Sequence, residues 1–324
     1  MISLVIPVYR NAANVPSLLA ALERIDRELE GDLELVFVVD GSPDESARLL
    51  RNALPALGVR AQLLELSRNF GSFSAIRAGL EAGRGDRFAV MAADLQEPPE
   101  LITRFSERLL SGECDVVIGQ RVARSDPAAR QLASRTFWSF YRRFVLRDVP
   151  PGGLDIFGCT RAVRDELLRL EESNSSLVGL LLWVGFRREL IPYERRAREI
   201  GRSAWTLRKR AAYLMDSVFS FSDLPIQILL RIGVVGLLVS VAFSAAVLAT
   251  KLLSDFPVPG YAATVLLITF FGALNCFGLG VIGQYVWRTF ENTKSRPDHI
   301  VASREIFEPK PGRTPASATH EEPE

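Results

Sequence analysis

The chain has 324 residues, 48% of them hydrophobic and 24% charged, and its formal net charge is +1. Such a nearly neutral chain lacks the bulk field that attracts nucleic acid, so we expect no nucleic-acid partner. The cysteines Cys114, Cys159 and Cys276 are too scattered to predict a disulfide framework or a zinc site. Both histidines lie near the C-terminus, which disfavours catalysis or metal binding through histidine.

Strands and helices are predicted to alternate over the first 120 residues. Apolar runs indicate buried strands at 2–8, 33–39, 61–66, 88–92 and 116–119. Apolar residues at helical spacing indicate helices at 14–29, 44–54, 74–82 and 101–110. This alternation predicts an α/β fold with a mostly parallel sheet covered on both faces. In such sheets ligands bind at the carboxyl ends of the strands.

Polar residues follow several of these strands, and we expect them to share one site. They are Asp40, Arg68, Asp94 and Arg121, each just beyond a predicted strand end. Asp94 and Gln96, followed by Pro98 and Pro99, offer the oxygen ligands that Mg²⁺ or Mn²⁺ prefers. The alternative is that Asp94 only caps the turn made by the two prolines.

The other signals also have structural alternatives. Asp40, before Gly41, could accept hydrogen bonds from a nucleoside, or it could form a turn and a helix cap. Arg121 suits a diphosphate, although arginines in loops usually lie at the surface. Asp155 lies in an apolar, glycine-rich segment, where it could orient or deprotonate a reacting group or could accept bonds from the amides of a turn.

Two long uncharged segments in the C-terminal half predict membrane-spanning helices. Residues 232–250 and 261–287 carry no charged side chain and are long enough to cross a hydrocarbon core of about 30 Å. Two core helices of a soluble protein are the alternative, which the absence of charge disfavours. Positive charge before the first span and after the second predicts that both termini and the N-terminal domain are cytoplasmic.

The flanking segments complete the predicted organisation. A basic amphipathic helix is expected to lie at the lipid headgroups, and the Pro-, Glu- and Thr-rich tail from Ser303 onward is expected to be disordered. Glycines in the second span would allow close helix packing, within one chain or in a homo-oligomer. The predicted boundaries are 1–204 for a catalytic domain, 205–222 for the juxtamembrane helix, 224–253 and 261–287 for the transmembrane helices, and 288–324 for a cytoplasmic tail.

Taken in chain order, these motifs resemble those of the polyprenyl-phosphate glycosyltransferases. The matching segments are Ile6–Tyr9, Val39–Ser42, Ser67–Gly71, Ala93–Glu100, Gly119–Arg121, Gly153–Phe157, Trp183–Phe186, Tyr193–Trp205 and the two spans. These are GT-A-fold enzymes of glycosyltransferase family 2, related to dolichyl-phosphate mannose synthase and to bacterial undecaprenyl-phosphate sugar transferases.

The resemblance implies inverting transfer of a sugar from a nucleotide-sugar, with uridine favoured over guanosine, to undecaprenyl phosphate at the cytoplasmic membrane. It also implies a divalent metal, Mg²⁺ or Mn²⁺, with Asp94 and Gln96 as ligands. The implied nucleotide-sugar contacts are Pro7, Tyr9, Asp40, Arg68 and Asp94. The implied diphosphate and acceptor contacts are Arg121, Arg135, Arg198 and Ser203. The implied catalytic residues are Asp155 and Asp94.

This sequence departs from the family pattern at several positions. Ala92 stands where members often have the first acid of Asp-X-Asp, and Val39 also replaces a frequent Asp. Phe157 and Val178 stand where other members often carry an arginine. The missing acid raises the alternative of a membrane scaffold with an inactive transferase domain.

A processive polysaccharide synthase is the remaining alternative. Such enzymes resemble this chain in the catalytic domain, but they usually carry Gln-X-X-Arg-Trp and more spans than the two predicted here. Two spans are also too few for a transport pore, so moving the product across the membrane would require a separate flippase.

Overall fold

The computed structural model describes residues 1–123, 139, 141–143, 149, 154, 156–172, 176–195, 207–253 and 260–309. The chain divides into two compact units. One unit contains residues 1–172, 176–207 and 296–324, and the other contains residues 173–175 and 208–295.

The first unit is built on a sheet of eight described strands in the order β7-β5-β6-β4-β1-β2-β3-β8. Six of the strands run parallel, and β6 and β8 run antiparallel to their neighbours. The predicted α/β fold with a mostly parallel sheet is therefore confirmed, and it is of the GT-A type. The strands are β1 Ile2–Val8, β2 Leu33–Val39, β3 Arg60–Leu66, β4 Arg87–Val90, β5 Val116–Ala123, β6 Phe157–Thr160, β7 Arg188–Glu194 and β8 Val301–Phe307.

Helices cover both faces of the sheet, and its central strands are buried as a result. Every residue of β2 is buried, which requires packing above and below the strand. Helix α3 comes so close that a Cβ atom on Gly79 would collide with Val5 of β1. The helices of this unit are α1 Val15–Glu28, α2 Ser46–Leu57, α3 Ser72–Ala82, α4 Glu100–Leu110, α5 Arg161–Arg169 and α6 Leu177–Trp183.

The expectation that the tail is disordered from Ser303 onward is wrong for its first residues. Val301–Phe307 forms β8, which pairs antiparallel with β3. Side chains secure the pairing, since Arg304 donates to Gln62 Oε1 at 2.7 Å and Arg51 donates to Glu305 at 2.6 Å. Local composition could not reveal this order, because the stabilising partners lie in β3 and α2. Residues 310–324 of the predicted tail lie outside the described residues.

The second unit contains three helices, α7 Leu207–Phe221, α8 Leu224–Leu253 and α9 Tyr261–Thr293. The segments Leu224–Phe243 and Leu267–Thr293 are long and apolar enough to cross a membrane. Their apolar side chains are exposed, including Leu237 at 64% and Phe270 at 61%. A core helix of a soluble protein would bury such residues, so their exposure favours membrane association. Within this unit Arg288 of α9 donates to Asp216 of α7 at 2.6 Å.

Candidate active site

The candidate site lies at the edge of the sheet where the six parallel strands end. The register pairs Val8 with Val39 and Val39 with Glu65, so the loops after β1, β2 and β3 leave the sheet side by side. Parallel strands share this arrangement because all their carboxyl ends face the same way. Half-buried Pro7 and Tyr9 lie at the end of β1, next to Asp40 at the end of β2.

Asp40 binds the loop that follows β3. Its carboxylate accepts hydrogen bonds from Asn69 Nδ2 at 2.9 Å, from the Phe70 amide at 2.7 Å and from the Gly71 amide at 2.9 Å. Because Phe70 and Gly71 immediately precede α3, Asp40 also holds the chain that leads into that helix. The carboxylate therefore shapes the loop after β3, whereas the structural alternative in the sequence was a turn and a helix cap.

The same contact presents Arg68 at the surface of the site. The Arg68 guanidinium lies 4.0 Å from the centre of the Phe70 ring, in cation–π geometry. Gly41 allows the approach of the two loops, since its φ is +55° and a Cβ atom there would lie 2.9 Å from Arg68 Cα. The glycine after Asp40 is thus required by backbone packing between loops.

Asp44 joins the loops after β1 and β2. Its carboxylate accepts hydrogen bonds from Ser42 Oγ at 2.6 Å and from the Ala12 amide at 3.0 Å. Burial alone would raise the pKa of Asp44, but hydrogen bonds from Ser42, Ser46 and Ala12 outweigh it and lower the pKa. An ionised Asp44 therefore fixes the first two loops against each other.

The loop after β4 carries the predicted metal ligands. Asp94 and Gln96 are half-buried, and Leu95 between them has a φ of +53°. Asp94 Oδ1 accepts a long hydrogen bond from the Gln96 amide at 3.3 Å. Gln96 Oε1 accepts a hydrogen bond from Arg195 Nη2 at 2.8 Å. The oxygen that would bind a cation thus already faces a guanidinium.

A buried acid lies next to these residues. Glu97 is 1% exposed and lies 3.4 Å from Arg195, measured from Oε1 to Nη2. Burial raises the pKa of Glu97, Arg195 opposes the rise, and Asp94 adds to it. Tyr193 is also buried, and its pKa is raised by burial and by Glu97. The end of β7 therefore contributes Tyr193 and Arg195 to the site. The sequence matched both residues as part of the segment 193–205 but assigned neither of them a role.

The structure brings the predicted residues into two groups. Pro7, Tyr9, Asp40 and Arg68 lie at the ends of β1, β2 and β3, while Asp94, Gln96 and Arg121 lie at the ends of β4 and β5. Arg121 is half-buried, and it shares a hydrogen bond with Tyr193, its neighbour across the strands. The predicted residues that lie outside the described ones are Arg135, Asp155, Arg198 and Ser203.

The donor set fits a metal that arrives with a diphosphate better than a metal held by protein alone. No group of three His, Cys, Asp or Glu side chains that could hold a metal occurs in the part of the chain that the structure describes. Mg²⁺ is commonly held by one or two carboxylates together with substrate phosphates. Asp94 supplies one such carboxylate at the strand end, and the role of Gln96 as a ligand stays a prediction.

Comparison with known proteins identifies the class. The family model for glycosyl transferase family 2 matches residues 3–170, and the chain belongs to that family. It is therefore a glycosyltransferase, as the motifs indicated.

Relatives match nearly the whole chain. The putative glycosyltransferase CsbB of Bacillus subtilis is 33% identical over 94% of this chain and 92% of that protein. The bactoprenol glucosyl transferase of Shigella phage SfX is 29% identical over 94% of this chain and 99% of that protein. The match to the solved structure of the mannosyltransferase PcManGT of Pyrobaculum calidifontis covers 88% of this chain and 87% of that protein, at 17% identity and a TM-score of 0.44. This similarity is too distant for residue roles to be transferred.

Proposed function

We propose that this protein transfers a sugar from a UDP-sugar to undecaprenyl phosphate, with inversion, at the cytoplasmic face of the inner membrane. The product would be a polyprenyl-phosphate sugar for cell-envelope glycan or lipid modification, moved across the membrane by a separate flippase. One observation carries the proposal. The similarity to a bactoprenol glucosyl transferase extends over 94% of the chain, so it must include most of α8 and α9 as well as the sheet.

The proposed reaction forms one bond and breaks one. A phosphate oxygen of the lipid attacks the anomeric carbon, and the bond between that carbon and the nucleoside diphosphate breaks on the opposite face. A phosphate monoester has a second pKa of about 6, so the nucleophile is largely ionised at neutral pH without a strong base. Asp155 would therefore orient the acceptor, and catalysis would depend mainly on positioning and on stabilising the leaving diphosphate.

Residue roles follow from the two groups at the sheet edge. The nucleotide-sugar would contact Pro7, Tyr9, Asp40 and Arg68 at the ends of β1, β2 and β3. A bound divalent cation, next to Asp94 and Gln96, would neutralise charge on the leaving diphosphate. The arginines and the serine assigned to the diphosphate and the acceptor are Arg121, Arg135, Arg198 and Ser203.

Chain topology supports a location on one side of the membrane for both ends of the first unit. Residues 61–66 of β3 pair with residues 301–307 of β8, although the apolar helices come between them in sequence. Two strands of one sheet must lie on the same side of any membrane. The chain therefore crosses a membrane an even number of times between β3 and β8, in agreement with two spans and with the predicted charge bias.

Transfer of labelled sugar tests the proposal. Purified full-length protein in a membrane mimetic would receive a panel of UDP- and GDP-sugars, undecaprenyl phosphate, and Mg²⁺ or Mn²⁺. We expect a chloroform-soluble product that requires the metal and is lost in Asp94→Asn. The matched control is Asp165→Asn, since Asp165 is an exposed acid on α5 that, among the described residues, pairs with its neighbour Arg164 at 2.6 Å.

The outcomes separate the alternatives left by the sequence. Loss of product in Asp94→Asn and its retention in Asp165→Asn would support the enzyme. Absence of product from every donor, with the protein folded, would favour the inactive scaffold. Formation of a long polymer would favour the processive synthase.

A further inference from the structure

One arginine connects the loop after β4 with the end of β7. Arg195 Nη2 donates to Gln96 Oε1 at 2.8 Å and lies 3.4 Å from Glu97 Oε1. A planar guanidinium holds two acceptors in a fixed relative orientation, which the point charge of a lysine does not. Arg195 therefore fixes two consecutive side chains in the loop that also carries Asp94.

Glu97 is poorly explained as a residue that only stabilises the fold. It is 1% exposed, and its Oε2 atom has no hydrogen-bond partner among the described residues. A buried polar atom without a partner costs about 1–3 kcal/mol. A well-packed apolar side chain would avoid that cost, so the acid is better explained by what it does to Arg195.

The contacts continue toward the predicted diphosphate contact. Tyr193 shares a hydrogen bond with Arg121, the predicted diphosphate contact on the neighbouring strand. Arg195 directly follows β7 and stands two positions after Tyr193, so both side chains belong to the end of the same strand.

We propose that Arg195 and Glu97 are positioning residues that hold the donor-side loop, residues 94–97, against the end of β7. This inference rests on the proposed function. Glu97 sets the orientation of the guanidinium, and Arg195 in turn holds the side chain of Gln96. Removing either residue releases the loop, so the effect falls on the alignment of the reacting groups more than on donor binding.

Hydrogen exchange measured by mass spectrometry tests the positioning without any donor or metal. Full-length protein in nanodiscs is compared with Arg195→Met, Glu97→Gln and the double variant. We expect amide exchange in residues 94–97 to rise about tenfold in each single variant, with no further rise in the double variant. Arg195→Lys keeps the charge beside Glu97 and loses the planar fork, so it should give an intermediate rise in amide exchange. This variant also tests the proposal if Arg195→Met fails to fold.

The matched control is Glu189→Gln. Glu189 lies near the start of β7 and accepts from Arg108 at 2.8 Å, so the variant removes an ion pair from the same strand away from the loop. Exchange in residues 94–97 should be unchanged in this control. Unchanged exchange in Arg195→Lys and Glu97→Gln would overturn the proposal, and so would an equal rise in Glu189→Gln.

Initial-rate kinetics then test the functional consequence. We expect kcat to fall by about tenfold to hundredfold in Arg195→Met and Glu97→Gln while KM for the donor changes little, since misalignment acts on the transition state. Faster exchange with unchanged kcat would reduce the pair to a structural role and overturn the link to catalysis. An inactive wild-type protein would count against the proposed function, while the exchange data would still decide whether the pair positions the loop.

Discussion

Two glutamates are buried at opposite ends of the sheet, and their surroundings differ. Glu34, at the start of β2, is 0% exposed and accepts four hydrogen bonds, from Ser3, Gln62, the Arg84 amide and the Arg84 side chain. Glu97, at the carboxyl edge, is 1% exposed and has one oxygen without a partner among the described residues. Equal burial therefore does not imply equal stabilisation.

The two carboxyl groups titrate in opposite directions for a physical reason. Burial alone would raise the pKa of both groups. At Glu34 the hydrogen bonds from Ser3, Arg84 and Gln62 outweigh burial and lower the pKa, whereas at Glu97 burial prevails. A fully bonded acid maintains the fold, and an incompletely bonded one marks the end of the sheet where ligands are expected.

The largest expected effect comes from removing Glu34, the acid at the amino ends of the parallel strands. Glu34→Ala removes the acceptor of the buried Ser3 hydroxyl and one of the two acceptors of Gln62 Nε2, which should cost about 3 kcal/mol. We expect the melting temperature of the protein in detergent to fall by roughly 6–12 °C. The kcat of the molecules that remain folded should be unchanged. Glu107→Ala, at an exposed position on α4, should leave the melting temperature unchanged. A normal melting temperature together with a loss of sugar transfer would contradict this assignment, because it would place Glu34 in catalysis and not in stability.

A smaller effect is expected from replacing one glycine with alanine at the amino ends or at the carboxyl ends of the parallel strands. Gly31 and Gly41 both have positive φ, +78° and +55°, so alanine should cost about 1–2 kcal/mol of backbone strain at either position. Nothing lies within 4 Å of a Cβ on Gly31, whereas a Cβ on Gly41 would push against Arg68. We therefore expect Gly41→Ala alone to weaken binding of the donor nucleotide, by about tenfold in calorimetry, since it displaces the loop after β3. Equal affinities in the two variants would show that the approach of the loops is unimportant for binding.

The smallest expected effect is a pH dependence of the stability contributed by Glu34. The pKa of Glu34 is lowered by folding, so its ionised form stabilises the protein above the unfolded pKa of about 4.3, and this stabilisation is lost as pH falls through the folded pKa. Glu34→Gln should therefore melt a few degrees below the wild type near neutral pH, and the difference should shrink as pH falls below about 4. Melting curves between about pH 7 and pH 3 would measure it. A difference that is constant with pH would show that the charge of Glu34 is unimportant.

The sequence was sufficient for the parallel part of the fold and insufficient for its edges. Apolar runs predicted β1 to β5, because buried parallel strands are continuous in hydrophobicity. The strands β6, β7 and β8 were missed, since β6 has only four residues and charged side chains interrupt the apolar residues of β7 and β8.

The site shows the same division. Asp94, Arg121 and Asp40 were predicted from their places after strand ends, where local sequence carries the signal. Arg195 and Glu97 acquire meaning only from burial and from contact between β7 and the loop after β4. The carboxylate of Asp40 fixes the loop after β3, a contact between two loops that its own motif did not predict.

The position of β8 also has a consequence for synthesis. The strand that completes the edge next to β3 follows two helices of 30 and 33 residues, so it leaves the ribosome after both. Until then the nascent domain carries β3 as an open edge, which is prone to pair with other chains. A chain cut short within or before the apolar helices would keep that edge permanently. We therefore expect the cell to recognise interrupted chains by the absence of β8 from the edge of the sheet, and to degrade them by proteolysis.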